Sequence, residues 1–397
     1  MSAKVGLASL VLALVVGGSS AEPSVHGPEW IGTWQAAPAS AQAGTETGHP
    51  NKTIRNVVHT SIGGKAARVR LSNAFGTAPV LMGHVTVALS TGSAAVVPGS
   101  VREVTFGAVP SVTIPPGAEV LSDAVSLTVP PDADLAVTVY TPAESGPATY
   151  HPQAYRENYF AVGDHAADET GTPFSAATTS FHYVSGVEVQ GSRARGAVVA
   201  FGDSITDGAW STRGANLRWP DQLFDRLAKR PEPVRFGVLN AGISANRLAS
   251  QGTSATAGPN ALARLDRDAL TRAGVRTIVL MEGINDIQNT VSAGQLIMGL
   301  QQVVSRGHAA GVRVVVGTIG PWKGWRTYLP EREEIRVAVN SYIRSAGIFD
   351  AVVDFDEALR DPGDPGQLRP AFDSGDHLHP NDAGYRAMAE AVDLKTL

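Results

Sequence analysis

"AVVAFGDSITDG", residues 197–208, opens as an unbroken apolar run and closes as a polar loop bounded by glycines, with Ser204 at the turning point. An apolar run without alternation suits a strand buried on both faces, as in a parallel sheet, better than a strand with one wet face. Four more runs share its character: "RFGVLN", "RTIVLMEG", "RVVVGTI" and "FDAVVDF". The spacing of apolar residues predicts helices between and after them, near 216–229, 259–273, 292–310, 331–346 and 381–392. Strands and helices in that order predict an α/β half with a parallel sheet covered on both faces, because parallel neighbours need crossover connections. Sites in such sheets lie beyond the carboxyl ends of the strands, and Ser204, Asn285 and the loop containing Ala245 all follow strands at those ends.

Upstream the period changes. Between residues 54 and 190 the stretches "ARVRLSN", "HVTVALS", "REVTF", "AVSLTV" and "LAVTVYT" alternate apolar with polar and are separated by Gly, Pro and Asp clusters. That pattern predicts an antiparallel β-sandwich, jelly-roll-like, over 54–190, with the α/β domain over 191–397. Residues 22–53, rich in Ala, Pro and Gly, are expected to form an extended lead-in in which Trp30 and Trp34 pack against something.

Residues 1–21 have the form of a secretory signal: Lys4, then "VGLASLVLALVV", then "GSSA". The apolar run is shorter than the roughly 20 residues that span a bilayer, so the expectation is a secreted, extracellular protein without stable membrane insertion. The chain has no cysteine, which excludes thiol catalysis and cysteine metal sites. A net charge of -5 without a run of Lys or Arg argues against nucleic acid as a partner.

Taken alone, Ser204 reads as a helix cap sooner than as a nucleophile. A nucleophilic serine needs a base, and the base needs an orienting acceptor. "DHLHPNDAGY", residues 376–385, offers both, with Asp376 three residues before His379. His377 has the wrong spacing to join them. A metal held by Asp376, His377 and His379 lacks a second ligand cluster, so no metal is expected. Acyl transfer also needs donors for the oxygen that becomes negative. The Asn285 amide in "MEGINDI", the Ser204 N–H and an N–H in "NAGISANRL", which holds Gly242 and Ala245, are the candidates. Asn285 and Asp286 alone would read as a turn.

In order and context, "FGDSITDG", "NAGISANRL", "GIND" and "DHLHP" resemble the four blocks of the SGNH hydrolases, also called GDSL esterases and lipases, over about residues 197–392. The opening "GTWQAAP" and the β-rich first half resemble secreted bacterial members with an N-terminal sandwich. The resemblance implies a three-layer α/β/α, flavodoxin-like catalytic domain, with Ser204 as nucleophile, His379 as base, Asp376 as its orienter and Asn285 as an oxyanion donor. It implies no cofactor, and an ester as substrate: a lipid, a small ester or an acylated carbohydrate.

One position departs from the pattern. Ala245 stands where the family has a glycine whose N–H faces the oxyanion; Gly242 takes that place if the alignment shifts by three. A negative φ, which alanine adopts freely, is expected at Ala245. The implied activity is hydrolysis through an acyl-enzyme, with short to medium acyl esters favoured. A carbohydrate deacetylase or acyltransferase would use the same site. The rival of another class is a carbohydrate-binding protein with a decayed catalytic half. No G-x-S-x-G elbow occurs to support the other serine-hydrolase motif.

Overall fold

Five buried strands form one parallel sheet: β1 (Gly196–Gly202), β2 (Phe236–Gly242), β3 (Val275–Met281), β4 (Arg313–Gly317) and β5 (Ala351–Val353). Their order is β2-β1-β3-β4-β5, the 2-1-3-4-5 arrangement of doubly wound sheets. The computed structural model describes Met1, residues 29–289 and residues 291–397; apart from Met1, the expected signal over 1–21 lies outside the described residues. β1 is central, which explains its unbroken apolar sequence. Gly202 stands level with Gly242 of β2 and Met281 of β3, so three loops leave the sheet at one edge.

The helices are α1 (Ser204–Asp207), α2 (Trp219–Ala228), α3 (Ala261–Leu265), α4 (Ile284–Ile287), α5 (Ala293–Ala309), α6 (Pro330–Ser345), α7 (Phe355–Leu359) and α8 (Asp382–Ala391). The helix expected over 259–273 is shorter in its α-helical part. α3 passes into a π-turn over Asp266–Leu270, with the Thr271 N–H donating to the Asp266 carbonyl at 3.0 Å. Asp268 of that turn bonds Arg267 and faces Arg264 and Arg272, so the widened turn carries a buried carboxylate among three guanidiniums.

The first half is antiparallel, as alternation requires. One sheet has four strands in the order Trp30–Gln35, Val184–Gln190, Ala66–Ser72 and Glu119–Leu121. A second has six, in the order Ala176–Thr178, Asn158–Val162, Lys52–Thr60, Ala133–Thr141, His84–Leu89 and Arg102–Glu103. Smaller sheets of three and two strands complete the set among the described residues.

Two stretches differ from the sequence expectation. "AVSLTV" buries Val125, Leu127 and Val129 in alternation, yet its backbone pairs only through isolated bridges from Val125 to Ala67 and from Val129 to Gly64. Pro130 and Pro131, which lack N–H donors, follow at once. Trp30–Gln35, inside the expected lead-in, is a full member of the four-stranded sheet, and Trp34 packs edge-on against Phe181 with ring centroids 4.9 Å apart.

Trp30–Gln35 also joins the halves. A Cβ on Gly32 would press on a Leu239 methyl in β2 at 2.7 Å, and one on Gly237 would come within 2.2 Å of the Gly32 carbonyl, so Gly237 must be glycine for the backbones to approach. The Gly32 N–H donates to the Ala273 carbonyl at 2.9 Å, and Gln35 Nε2 to the Asp268 carbonyl at 2.8 Å. One hydrophobic cluster runs from Ile31 through both halves to Leu397.

His49 and His182 lie edge to face in the antiparallel half, ring centroids 5.1 Å apart. Burial, with Lys52 nearby, pushes His49 down to about 4; burial and His49 push His182 down to about 3. Both are therefore neutral in the fold at pH 6.5, where an unfolded histidine begins to take up a proton. Below that pH the unfolded chain binds protons that the folded chain refuses, so these two residues lower stability as pH falls from about 6.5 to about 4. Thermal unfolding across that window should show a shallower acid loss in a His49→Gln, His182→Asn double variant than in the parent; equal slopes would contradict this account.

Candidate active site

β1 ends at Gly202, where a Cβ would collide with Thr206 Oγ1 at 2.2 Å and the Met281 carbonyl at 2.6 Å. The missing side chain lets the chain turn directly into α1. Asp203 caps that single turn by accepting the Ile205 N–H at 3.0 Å, which leaves Ser204 as its first residue, with an N–H unpaired by the helix.

Ser204 Oγ lies 2.8 Å from His379 Nε2, and His379 Nδ1 lies 2.7 Å from Asp376 Oδ2. Asp376 Oδ1 accepts the Leu378 and His379 N–H groups at 2.9 and 2.8 Å. Burial alone would raise the Asp376 carboxyl, but the hydrogen bonds from the His379 ring and backbone outweigh it and hold the group well below the usual carboxylate range. An ionised Asp376 on Nδ1 fixes the proton there and leaves Nε2 to accept from Ser204. His377, at φ 67°, turns away and bonds Asp373 Oδ2 through Nδ1 at 2.7 Å.

The remaining predicted residues surround Ser204 from two other strand ends. Asn285, in α4 after β3, donates through Nδ2 to the Asn246 carbonyl at 2.9 Å, and its Oδ1 accepts from Gln288 Nε2 at 3.3 Å. One amide hydrogen is used in that way; an amide carries two. The Ala245 N–H has no partner among the described residues. The Gly242 N–H is taken by Asn240 Oδ1 at 2.8 Å, and a Cβ on Gly242 would meet Asp207 N at 2.2 Å, so Gly242 serves a close approach of loops instead of offering a donor.

Several residues that build this site did not stand out in the sequence. Asp286 accepts the Leu248, Ala249 and Ser250 N–H groups at 2.6, 3.1 and 3.1 Å and so ties the loop after β2 to α4. Its place beside Asn285 in "GIND" was the available signal. Trp325 stands edge-on to the His379 ring, centroids 5.8 Å apart, and donates through Nε1 to Gln288 Oε1 at 2.8 Å. Arg264, fully buried, donates to the Gly202 and Ala241 carbonyls at 2.9 and 2.7 Å and to Asn246 Oδ1 at 2.9 Å. On α3 it reads in the sequence as one more surface arginine. Beneath the strand ends, burial pushes Asp203 up to about 6 despite the Ile205 N–H, and burial with Asp203 nearby pushes Glu282 higher still above its ordinary value.

A parallel α/β sheet with a serine, histidine and aspartate in one hydrogen-bonded line at its carboxyl edge has the arrangement of a hydrolase. Residues 200–387 match the GDSL-like Lipase/Acylhydrolase family, and this domain has the features of a carboxylic ester hydrolase. No curated protein matches the chain. Solved structures similar to it include a member of the lipolytic protein G-D-S-L family from Veillonella parvula DSM 2008, at 18% identity over 49% of this chain and 94% of that one, TM-score 0.36. A carbohydrate acetylesterase family member from Sinorhizobium meliloti is similar at 16% identity, 49% and 94% coverage and TM-score 0.39. An alpha/beta hydrolase enzyme from the metagenome of Lake Arreo, Spain, is similar at 22% identity, 50% and 94% coverage and TM-score 0.39.

The backbone at Ala245 corrects one expectation: its φ is 64°, in the left-handed region, not negative. A side chain in that region costs about 1 kcal/mol relative to glycine. Ala245→Gly should therefore leave stability unchanged or raise it by up to about 1 kcal/mol, since relief of strain offsets the greater freedom of glycine in the unfolded chain. Chemical denaturation checks this, and a less stable Ala245→Gly protein would count against the left-handed backbone. Proline is no clean probe of the N–H there, because its ring fixes φ near -65°.

Proposed function

We propose that the chain is a secreted serine esterase acting through an acyl-enzyme, with short to medium acyl esters favoured. The observation that carries this reading is the unbroken line from Ser204 Oγ through His379 to Asp376, at 2.8 and 2.7 Å. In the proposed cycle His379 Nε2 takes the Ser204 proton as Oγ attacks the ester carbonyl, and Asp376 steadies the imidazolium that forms. The carbonyl oxygen, now negative, is held by the Ser204 N–H, the Ala245 N–H and the second hydrogen of the Asn285 amide. The imidazolium then protonates the leaving alkoxide, and water, activated by the same ring, releases the acid.

Secretion rests on the apolar run and "SSA" before Glu22. We read the antiparallel half as a β-sandwich because its four- and six-stranded sheets bury apolar faces in one cluster, with the catalytic domain beginning near residue 191.

Ser204→Ala should lower kcat by roughly 10⁴–10⁶ and abolish labelling by a fluorophosphonate, while Asn285→Ala should cost on the order of 10²–10³ in kcat. Hydrolysis rates across acetyl, butyryl, octanoyl and palmitoyl esters beside acetylated xylan measure the acyl preference. A fluorophosphonate adduct elsewhere than Ser204 would refute the mechanism, and exported protein that begins at Met1 would refute the signal.

A further inference from the structure

His151 ends the strand Thr149–His151 of the antiparallel half, and its side chain is 5% exposed. Nδ1 faces the Ala37 carbonyl at 2.8 Å, and Nε2 faces Asp207 Oδ1 at 3.1 Å and the Gln153 carbonyl at 3.2 Å. All three partners are oxygens without hydrogens. Each ring nitrogen must therefore donate, and a histidine that donates through both is an imidazolium. Burial opposes that charge, but the Asp207 carboxylate overrides it and lifts the ring above the ordinary histidine value.

Asp207 closes α1, three residues after Ser204, and is 3% exposed. Its second oxygen, Oδ2, accepts both the Ser244 N–H at 3.0 Å and the Ser244 hydroxyl at 2.8 Å. Ser244 supplies the carbonyl of the peptide whose N–H belongs to Ala245, the residue held at φ 64°. Fixing Ser244 at its nitrogen and its hydroxyl sets the plane of that peptide and so the direction in which the Ala245 N–H points.

We propose that His151 is a positioning residue of the oxyanion hole, acting through Asp207 and Ser244 on the Ala245 N–H, so that the antiparallel half completes the catalytic unit. This rests on the reading of Ala245 as an oxyanion donor. The chain His151, Asp207, Ser244 runs from one half of the protein to the other, and its charged pair, His151 and Asp207, is buried. An exposed pair would be screened and worth little. A buried imidazolium held between the Ala37 and Gln153 carbonyls and a carboxylate that also accepts from Ser244 is fixed from both ring nitrogens.

The test compares the full-length parent with His151→Gln, which retains a donor toward Asp207 but no charge. The expected result is a kcat lower by roughly 10–100-fold with KM within twofold, because a misdirected donor affects the transition state and not the ground state. Binding of a trifluoromethyl ketone, whose hemiketal oxygen takes the oxyanion position, should weaken by the same factor. A purely structural role would lower the unfolding midpoint and leave kcat per folded site unchanged, and that outcome overturns the proposal.

Asn285→Ala serves as the control. If it weakens the ketone while His151→Gln does not, the inference fails and the oxyanion reading stands. If neither weakens it, the oxyanion reading fails and takes the inference with it. Should His151→Gln not fold, ¹⁵N resonances of the parent decide: a doubly protonated His151 at pH 8 supports the proposal, and a single-nitrogen tautomer overturns it.

Discussion

The active edge of the sheet depends on a buried guanidinium. Arg264 has no exposed side-chain surface, yet it reaches the carbonyl that ends β1, the carbonyl near the end of β2 and the side chain of Asn246. It lies over the Phe201 ring at 4.1 Å and faces Asp268 at 3.4 Å and Glu282 at 3.6 Å. A charge taken from water is costly unless its donors are answered, and removing one partner of such an arrangement costs about 3–5 kcal/mol. Two of the partners of the guanidinium are backbone carbonyls at the strand ends, so the loops that leave those strands have little freedom. Gly202 leads into Ser204, and Asn246 receives the Asn285 amide through its carbonyl. Nucleophile and amide are thus referred to the same cation, although 81 residues of sequence separate Ser204 from Asn285.

The carboxyl groups around this cation divide by environment. Asp376 is partly exposed and receives three N–H donors, two of them from His379, which hold its carboxyl well below the usual carboxylate range. Glu282 lies fully buried 3.6 Å from Arg264, and burial with Asp203 nearby pushes its carboxyl well above the ordinary value. Asp286 is buried as well, but three backbone donors and a hydroxyl meet it. Burial thus pushes Asp203, Glu282 and Asp286 up while hydrogen bonds hold Asp376 down, so carboxyls on the same side of the sheet differ by environment.

The α/β half was legible because its signals are local. Five apolar runs became five parallel strands, and the helices expected near 216–229, 292–310, 331–346 and 381–392 appear within a few residues of those limits. Ser204, His379 and Asp376 could be picked out because the chemistry requires them as a set and the spacing of Asp376 and His379 fits one turn. What escaped was non-local. Alternation in "AVSLTV" reports burial, not pairing, and the two differ at 124–129. Ala245 has φ 64°, and its neighbour Ser244 is bonded to Asp207, 37 residues away, a contact that no window around residue 245 contains. Arg264 and His151 have ordinary neighbours in sequence, and their partners lie up to 62 and 114 residues away.

The way the halves meet follows from the strand order. β2 is the outer strand of the parallel sheet and pairs only with β1, so its far side would present free backbone groups. The antiparallel half answers them. The Val238 N–H of β2 donates to Ser61 Oγ at 3.0 Å, and Ser61 Oγ in turn donates to the Thr33 carbonyl at 2.8 Å. Gly32 and Gly237 bring the two backbones close enough for this to happen without water between them. A half attached only through a flexible linker would leave that edge open and could not hold a buried His151 against Asp207. The same close docking that covers the sheet edge therefore supplies the rigidity on which a hydrogen-bonded chain between the halves depends.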